Sequence, residues 1–208
     1  MERLFDLVDE KHDFVEVLYE ELKNQRKDDL RKIEEKYEDG VLEDKTDQIN
    51  HEFYLSMDKL ALVPELAGRD EKLLRKFTEM SIFIDGMELS RGSKLDAILT
   101  FAGIVSKFPT HIEFLSNDKC YLLSTALVGL PLECYEEYGA VLANEKLLEV
   151  VINKSNDTNE RIDMLHDMVE YCEEVVYYDM PDEVYKKAIS DCVTIANSYQ
   201  IKEETKQK

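Results

Sequence analysis

DEKLLRKFTEMSIFIDGMELSRGSKLDAILTFAGIVSKFP (residues 70–109) carries apolar side chains at Leu73, Leu74, Phe77, Met80, Ile84 and Met87, then at Leu95, Ile98, Leu99, Ala102, Val105 and Phe108. Both series advance by three or four residues, the step that gathers side chains on one face of an α-helix. Asp70 is placed to cap the first helix. Ser90-Arg91-Gly92-Ser93 interrupts the pattern, with Ser93 as the expected cap of the second, and Pro109 ends it.

The same period continues in both directions. Asn117 or Asp118 opens a very apolar helix through Leu122, Leu123, Ala126 and Leu127 that ends at Gly129 and reads as the buried centre. Pro131 starts a short helix to about Val141, and Asn144 caps another through Leu147, Leu148 and Val151. Asp157 or Thr158 begins a helix with Ile162, Leu165, Val169, Cys172 and Val176, and Pro181 opens the last, with Val184, Ala188, Cys192, Ile195 and Tyr199; residues 202–208 read as frayed. Toward the N-terminus, Leu4, Val8, Val15, Leu18, Leu22, Leu30, Ile33 and Tyr37 predict a long helix over residues 2–38, or two end to end, stopped by Gly40. Its mixed-charge stretch 23–36 is expected to stand partly in solvent. A further helix over 46–62, with Ile49, Phe53, Met57 and Leu60, should end before Pro64. No run alternates at period two, and no fixed repeat recurs. The expectation is an all-α fold, an irregular stack of about eight or nine helices. It would form one domain over residues 1–208, with a long N-terminal helix at 2–38 and an acidic helical part at 130–199.

At 208 residues, 44% apolar and 35% charged, with 7 Gly and 4 Pro, the chain can bury a sizeable core and is neither collagen-like nor low-complexity. No apolar run reaches the roughly 18 residues of a membrane span, and residues 1–10 show no basic-then-apolar leader, so a cytoplasmic protein is expected. Cys120, Cys134, Cys172 and Cys192 form no CxxC and read as reduced, packed thiols.

Charge sets this chain apart: 46 acidic against 26 basic side chains leave a formal charge of −20. Nucleic-acid backbones and anionic membranes are poor partners for such a surface, whereas a basic protein is attracted to it in a salt-dependent way. Residues 130–185 hold 15 acidic side chains against Lys146, Lys154 and Arg161. These carboxylates are interleaved with apolar residues at helical spacing, so they belong to folded helices.

Motifs for phosphate cradles, nucleophile elbows and HExxH metal sites are absent; His51-Glu52 is followed by Leu55 where a second His would stand. Asp163, His166, Asp167 and Glu170 share one helical face, but a carboxylate-bridged metal pair needs a matching Glu-x-x-His helix, which the sequence lacks. Cys134 beside Glu133 has no histidine tied to it, His111 included, and the four His lie in four segments. No catalytic residue, metal ligand or cofactor is assigned, and the chain reads as a non-enzyme. Tyr171, Tyr177, Tyr178 and Tyr185 fall in the acidic quarter, where a tyrosine ring suits a core edge or an interface anchor.

MSIFIDGMELSRGSKLDAILTF (residues 80–101) and CYLLSTALVGLPLECYEEYGAVLANEKLLEVVI (residues 120–152) resemble the helical immunity proteins paired with bacterial polymorphic nuclease toxins, the PoNe/PoNi type. The likeness lies in a helix ending in a Ser-Arg-Gly turn, an apolar helix with small residues, a short acidic connector and a Leu-Leu helix; the mixed-charge opening helix, residues 9–37, is similar too. The resemblance implies a protein that binds and neutralises a cognate basic toxin, a DNase, in interbacterial competition. Carboxylates would then occupy a groove built for phosphates. Glu133, Glu136, Glu137, Asp163, Asp167, Glu170, Glu173 and Glu174 are the expected toxin-facing acids, with Tyr171, Tyr177 and Tyr178 as anchors. A phage-encoded acidic inhibitor or DNA mimic uses the same physics on another target. A metal-dependent helical enzyme built on the Asp163 and His166 face is the rival from a different class. Homo-oligomerisation is left open.

Overall fold

The structure, a computed structural model, describes residues 3–4, 13–107, 112, 115–135, 138, 144–154, 158–175 and 182–199, with backbone only at 39, 67–69, 145, 158, 172–175, 182 and 185. The described residues are all-helical: α1 (Phe14–Glu34), α2 (Asp39–Arg69), α3 (Glu71–Asp85), α4 (Arg91–Lys107), α5 (Asn117–Ala126), the 3₁₀ turn η1 (Leu132–Cys134), α6 (Glu145–Lys154), α7 (Thr158–Val175) and α8 (Asp182–Ser198). The chain divides into two compact units, Met1–Ser124 and Thr125–Lys208.

In the first unit, α1 and α2 form a helical hairpin, and α2, α3 and α4 pack on one another. In place of the long opening helix expected over 2–38, α1 covers Phe14–Glu34, and Asp13 caps it with a reciprocal capping box. Its carboxylate accepts from the Glu16 N–H (2.9 Å), and the Glu16 carboxylate accepts from the Asp13 N–H (3.2 Å). Gly40 is not the stop. The break falls at 35–38, where the Lys36 and Tyr37 N–H groups both donate to the Ile33 carbonyl, and Gly40 lies in the first turn of α2. As expected, the 23–36 stretch is largely exposed, with Lys23–Glu20, Arg31–Asp28 and Lys32–Asp29 ion pairs along its surface.

Pro64 does not end its helix either: α2 runs on to Arg69. A proline inside a helix costs about 3 kcal/mol. Leu60, Val63 and Leu66 are all buried around it, each stabilising by about 1.5–3 kcal/mol, and Pro64 itself faces solvent. Asp70 caps α3 as expected, accepting from the Lys72 N–H (2.8 Å). Ser90, not Ser93, caps α4: its hydroxyl accepts from the Ser93 N–H (3.1 Å). Gly92 follows beside α1, where a Cβ would meet the end of the flexible Gln25 side chain at 3.4 Å.

The centre of this unit is α4, whereas the sequence pointed to α5. Eleven of its residues, Lys94 and Thr100 among them, are buried, and Phe101 stacks on Phe77 of α3 at 6.3 Å. A helix enclosed on all sides loses its amphipathic signature. In α5, Cys120, Leu123, Ser124 and Ala126 are buried, and Gly129 follows at φ 87°, a conformation that favours glycine. In the second unit, α8 packs on α6 and α7 around Leu147, Leu148, Val151, Met164, Leu165, Met168, Ala188 and Cys192. Asn144 caps α6 through the Lys146 N–H (3.0 Å).

Candidate functional site

Helix α7 sorts its side chains by face. Met164, Leu165, Met168 and Val169 are buried, while Asp163, His166, Asp167 and Glu170 are exposed. The apolar set pins the helix to the unit's core, so the carboxylates are held on a packed scaffold. Arg161 is the only Lys or Arg of this helix, and its guanidinium donates to the Thr125 carbonyl. Of the other expected acids, Glu133 is exposed in η1. Glu173 and Glu174 lie in the last turn of α7, where only the backbone is described. Glu136, Glu137, Tyr177 and Tyr178 lie outside the described residues, as does His111.

Two tyrosines tie this face to α8. The Tyr171 hydroxyl donates to Asp191 Oδ2, which also accepts from Lys187. The Lys187 ammonium, and then the Tyr171 hydroxyl, hold the Asp191 carboxyl below its ordinary range. In return, the bond to Asp191 raises the Tyr171 phenol and the Lys187 ammonium. Tyr171 is half-buried and braces the two helices through its polar end. Tyr199 does the same one turn away, donating to Asp167 Oδ2 at 2.5 Å. Burial and this bond push the Tyr199 phenol up to about 12. The α8 period includes Tyr199, but periodicity cannot reveal that its hydroxyl ends on an α7 carboxylate.

Among the described residues, no group of three or more His, Cys, Asp or Glu is placed to hold a metal ion. The Asp163, His166, Asp167 and Glu170 stripe runs along one exposed face, which spreads the four groups along the helix. Cys120 and Cys192 are buried and Cys134 is half-buried, all three outside any disulfide; burial pushes the Cys120 thiol up to about 11, away from thiolate chemistry.

A second set of charged groups escaped the sequence reading because it is interior. Lys59 of α2 is 6% exposed, its ammonium 3.5 Å from Thr100 Oγ1 of α4, and Asp96 of α4 is half-buried beside it. Asp96 borders a small cavity of about 100 Å³ that Gln25, Asp29, Glu52 and Ser56 also line. Burial lowers the Lys59 ammonium to about 8 and raises the Asp96 carboxyl to about 6, each against the pull of the other's charge. Buried nearby, Asp85 accepts from the Leu4 N–H (2.9 Å) and faces the Lys94 ammonium, which donates to the Asp85 carbonyl.

No helix among the described residues is long and apolar enough to cross a membrane. No protein-family model, curated protein or solved structure matches the chain.

Proposed function

We propose that the protein is a non-enzymatic inhibitor that binds a cationic partner protein, and that its partner is the DNase toxin of an interbacterial competition system, for which it serves as cytoplasmic immunity protein. The observation that carries this reading is the division of α7: Asp163, Asp167 and Glu170 face solvent from a helix whose opposite side is buried. Preordered carboxylates lose little freedom on binding, and a nuclease must display Lys and Arg to its own substrate. Charge then steers the encounter, while side-chain packing at the interface sets the lifetime of the complex. The resemblance of residues 80–101 and 120–152 to helical immunity proteins supports the same partner class.

The test is co-expression with the product of the adjacent gene, scored by growth rescue and by co-purification. Rescue together with a stable complex is the expected result. Asp163→Lys with Glu170→Lys, at two exposed positions, should weaken binding roughly tenfold or more and leave the thermal transition in place. Full protection by the reversed variant would move the interface off α7, and turnover of a small substrate by the purified protein would overturn the reading as a whole.

A further inference from the structure

On the first unit, the α1–α2 hairpin leaves an apolar groove of about 300 Å³, floored by Val15, Tyr19, Met57, Leu60, Ala61 and Pro64. The two helices run antiparallel along it: Arg26 of α1 reaches Asn50 (2.7 Å) and lies over the Phe53 ring, while Val15 and Tyr19, two to three turns earlier, meet residues 57–64. Met57, Leu60, Ala61 and Pro64 repeat at three- and four-residue steps, which spans about 10 Å of helix and matches the apolar stripe of another helix. Tyr19 is 38% exposed, and Tyr54, one turn before Met57 on α2, is 62% exposed. Tyrosine is among the residues that contribute most at interfaces.

Among the described side chains the rim is acidic. Glu16 borders the groove on α1, and Asp58 and Glu65 follow Met57 and Pro64 on α2; all three are exposed. The nearby basic side chains that the structure describes are already engaged. Lys23 pairs with Glu20 at 2.9 Å, Arg26 is held by Asn50 and Phe53, and Lys59 is turned inward toward Thr100. An apolar floor with an acidic rim complements an amphipathic helix whose apolar stripe is bordered by Lys or Arg. A second copy of this chain would bring its own acids against these.

We infer that the α1–α2 groove is a docking site for a basic amphipathic helix of the cationic partner. The inference rests on the proposed function for the partner's charge, and it places the apolar anchoring contact on the first unit. The groove supplies desolvated area, which an exposed carboxylate stripe cannot.

The full chain is titrated with a synthetic Lys/Leu amphipathic helical peptide and with oligolysine of equal length, at about 0.15 M salt, while backbone and methyl resonances are followed. The expected result is binding of the Lys/Leu peptide roughly tenfold tighter than oligolysine, with shifts at Val15, Tyr19, Met57 and Ala61. Ala61→Arg, on an exposed helical position, should reduce that affinity to the oligolysine level. Tyr19→Ser is a second variant that adds no charge, and circular dichroism verifies both folds. Equal affinity for the two peptides, shifts elsewhere, or an unaffected Ala61→Arg protein overturns the groove. So does self-association without peptide that Ala61→Arg abolishes, which would assign the groove to a second copy. Toxin neutralisation that survives Ala61→Arg but is lost in Asp163→Lys/Glu170→Lys removes the groove and keeps the proposed function. Peptide docking in the groove with no cationic partner ever neutralised does the reverse.

Discussion

Burial of the Lys59 and Asp96 charges works against stability near neutral pH. Asp96 has a folded pKa of about 6 against 3.8 in the unfolded chain, so its stabilising contribution is complete below about pH 4 and is lost as pH rises through 6. Lys59 has a folded pKa of about 8 against 10.5 unfolded, so its contribution is complete above 10.5 and is lost as pH falls through 8. Between 6 and 8 neither operates, and Glu52 and Asp29 add repulsion on the Asp96 carboxylate. Replacing both groups at once, Lys59→Met with Asp96→Asn, is therefore expected to raise stability at pH 7 by about 1–4 kcal/mol, with a smaller gain at pH 5. Urea unfolding at the two pH values measures it. An equal gain at both would mean that packing, not charge burial, sets the effect.

At the scale of the element, helix ends and helix burial followed different rules. The caps Asp70 and Asn144 were legible because a cap acts over two or three residues, whereas Asp13, inside a continuous helical pattern, and Ser90, three residues from a second serine, were not. Asp13→Ala removes the side-chain acceptor of the capping box while residue 13 keeps the N–H that Glu16 accepts from, and it should cost about 1 kcal/mol, read as a lower urea midpoint with an unchanged slope. Pro64 was misleading because a local penalty was offset by burial of Leu60, Val63 and Leu66 in the same stretch of helix. Burial itself was the least legible property. Phe101→Ala in α4 should cost about 3–5 kcal/mol, and an exposed position such as Tyr54→Ala less than about 1 kcal/mol. Comparable losses at the two sites would contradict α4 as the centre of the first unit.

Across the whole molecule, the −20 charge predicts how a partner arrives. Association with a basic protein should slow roughly tenfold or more between low and physiological salt, while dissociation changes far less; stopped-flow mixing at a series of salt concentrations tests this. A salt-independent rate would leave the acidity as a solubility device. Composition and the 3.6-residue period by themselves determined that the chain is all-α and that Asp163, Asp167 and Glu170 share a face, because both are properties of a single helix. Only the tertiary structure decided that α4 is enclosed, that Lys59 and Asp96 are interior, that Tyr171 and Tyr199 are committed to carboxylates, and that α1 and α2 leave a groove. Each of those depends on which faces of separate helices meet, and a pattern of apolar residues says that a face will be covered without saying by what.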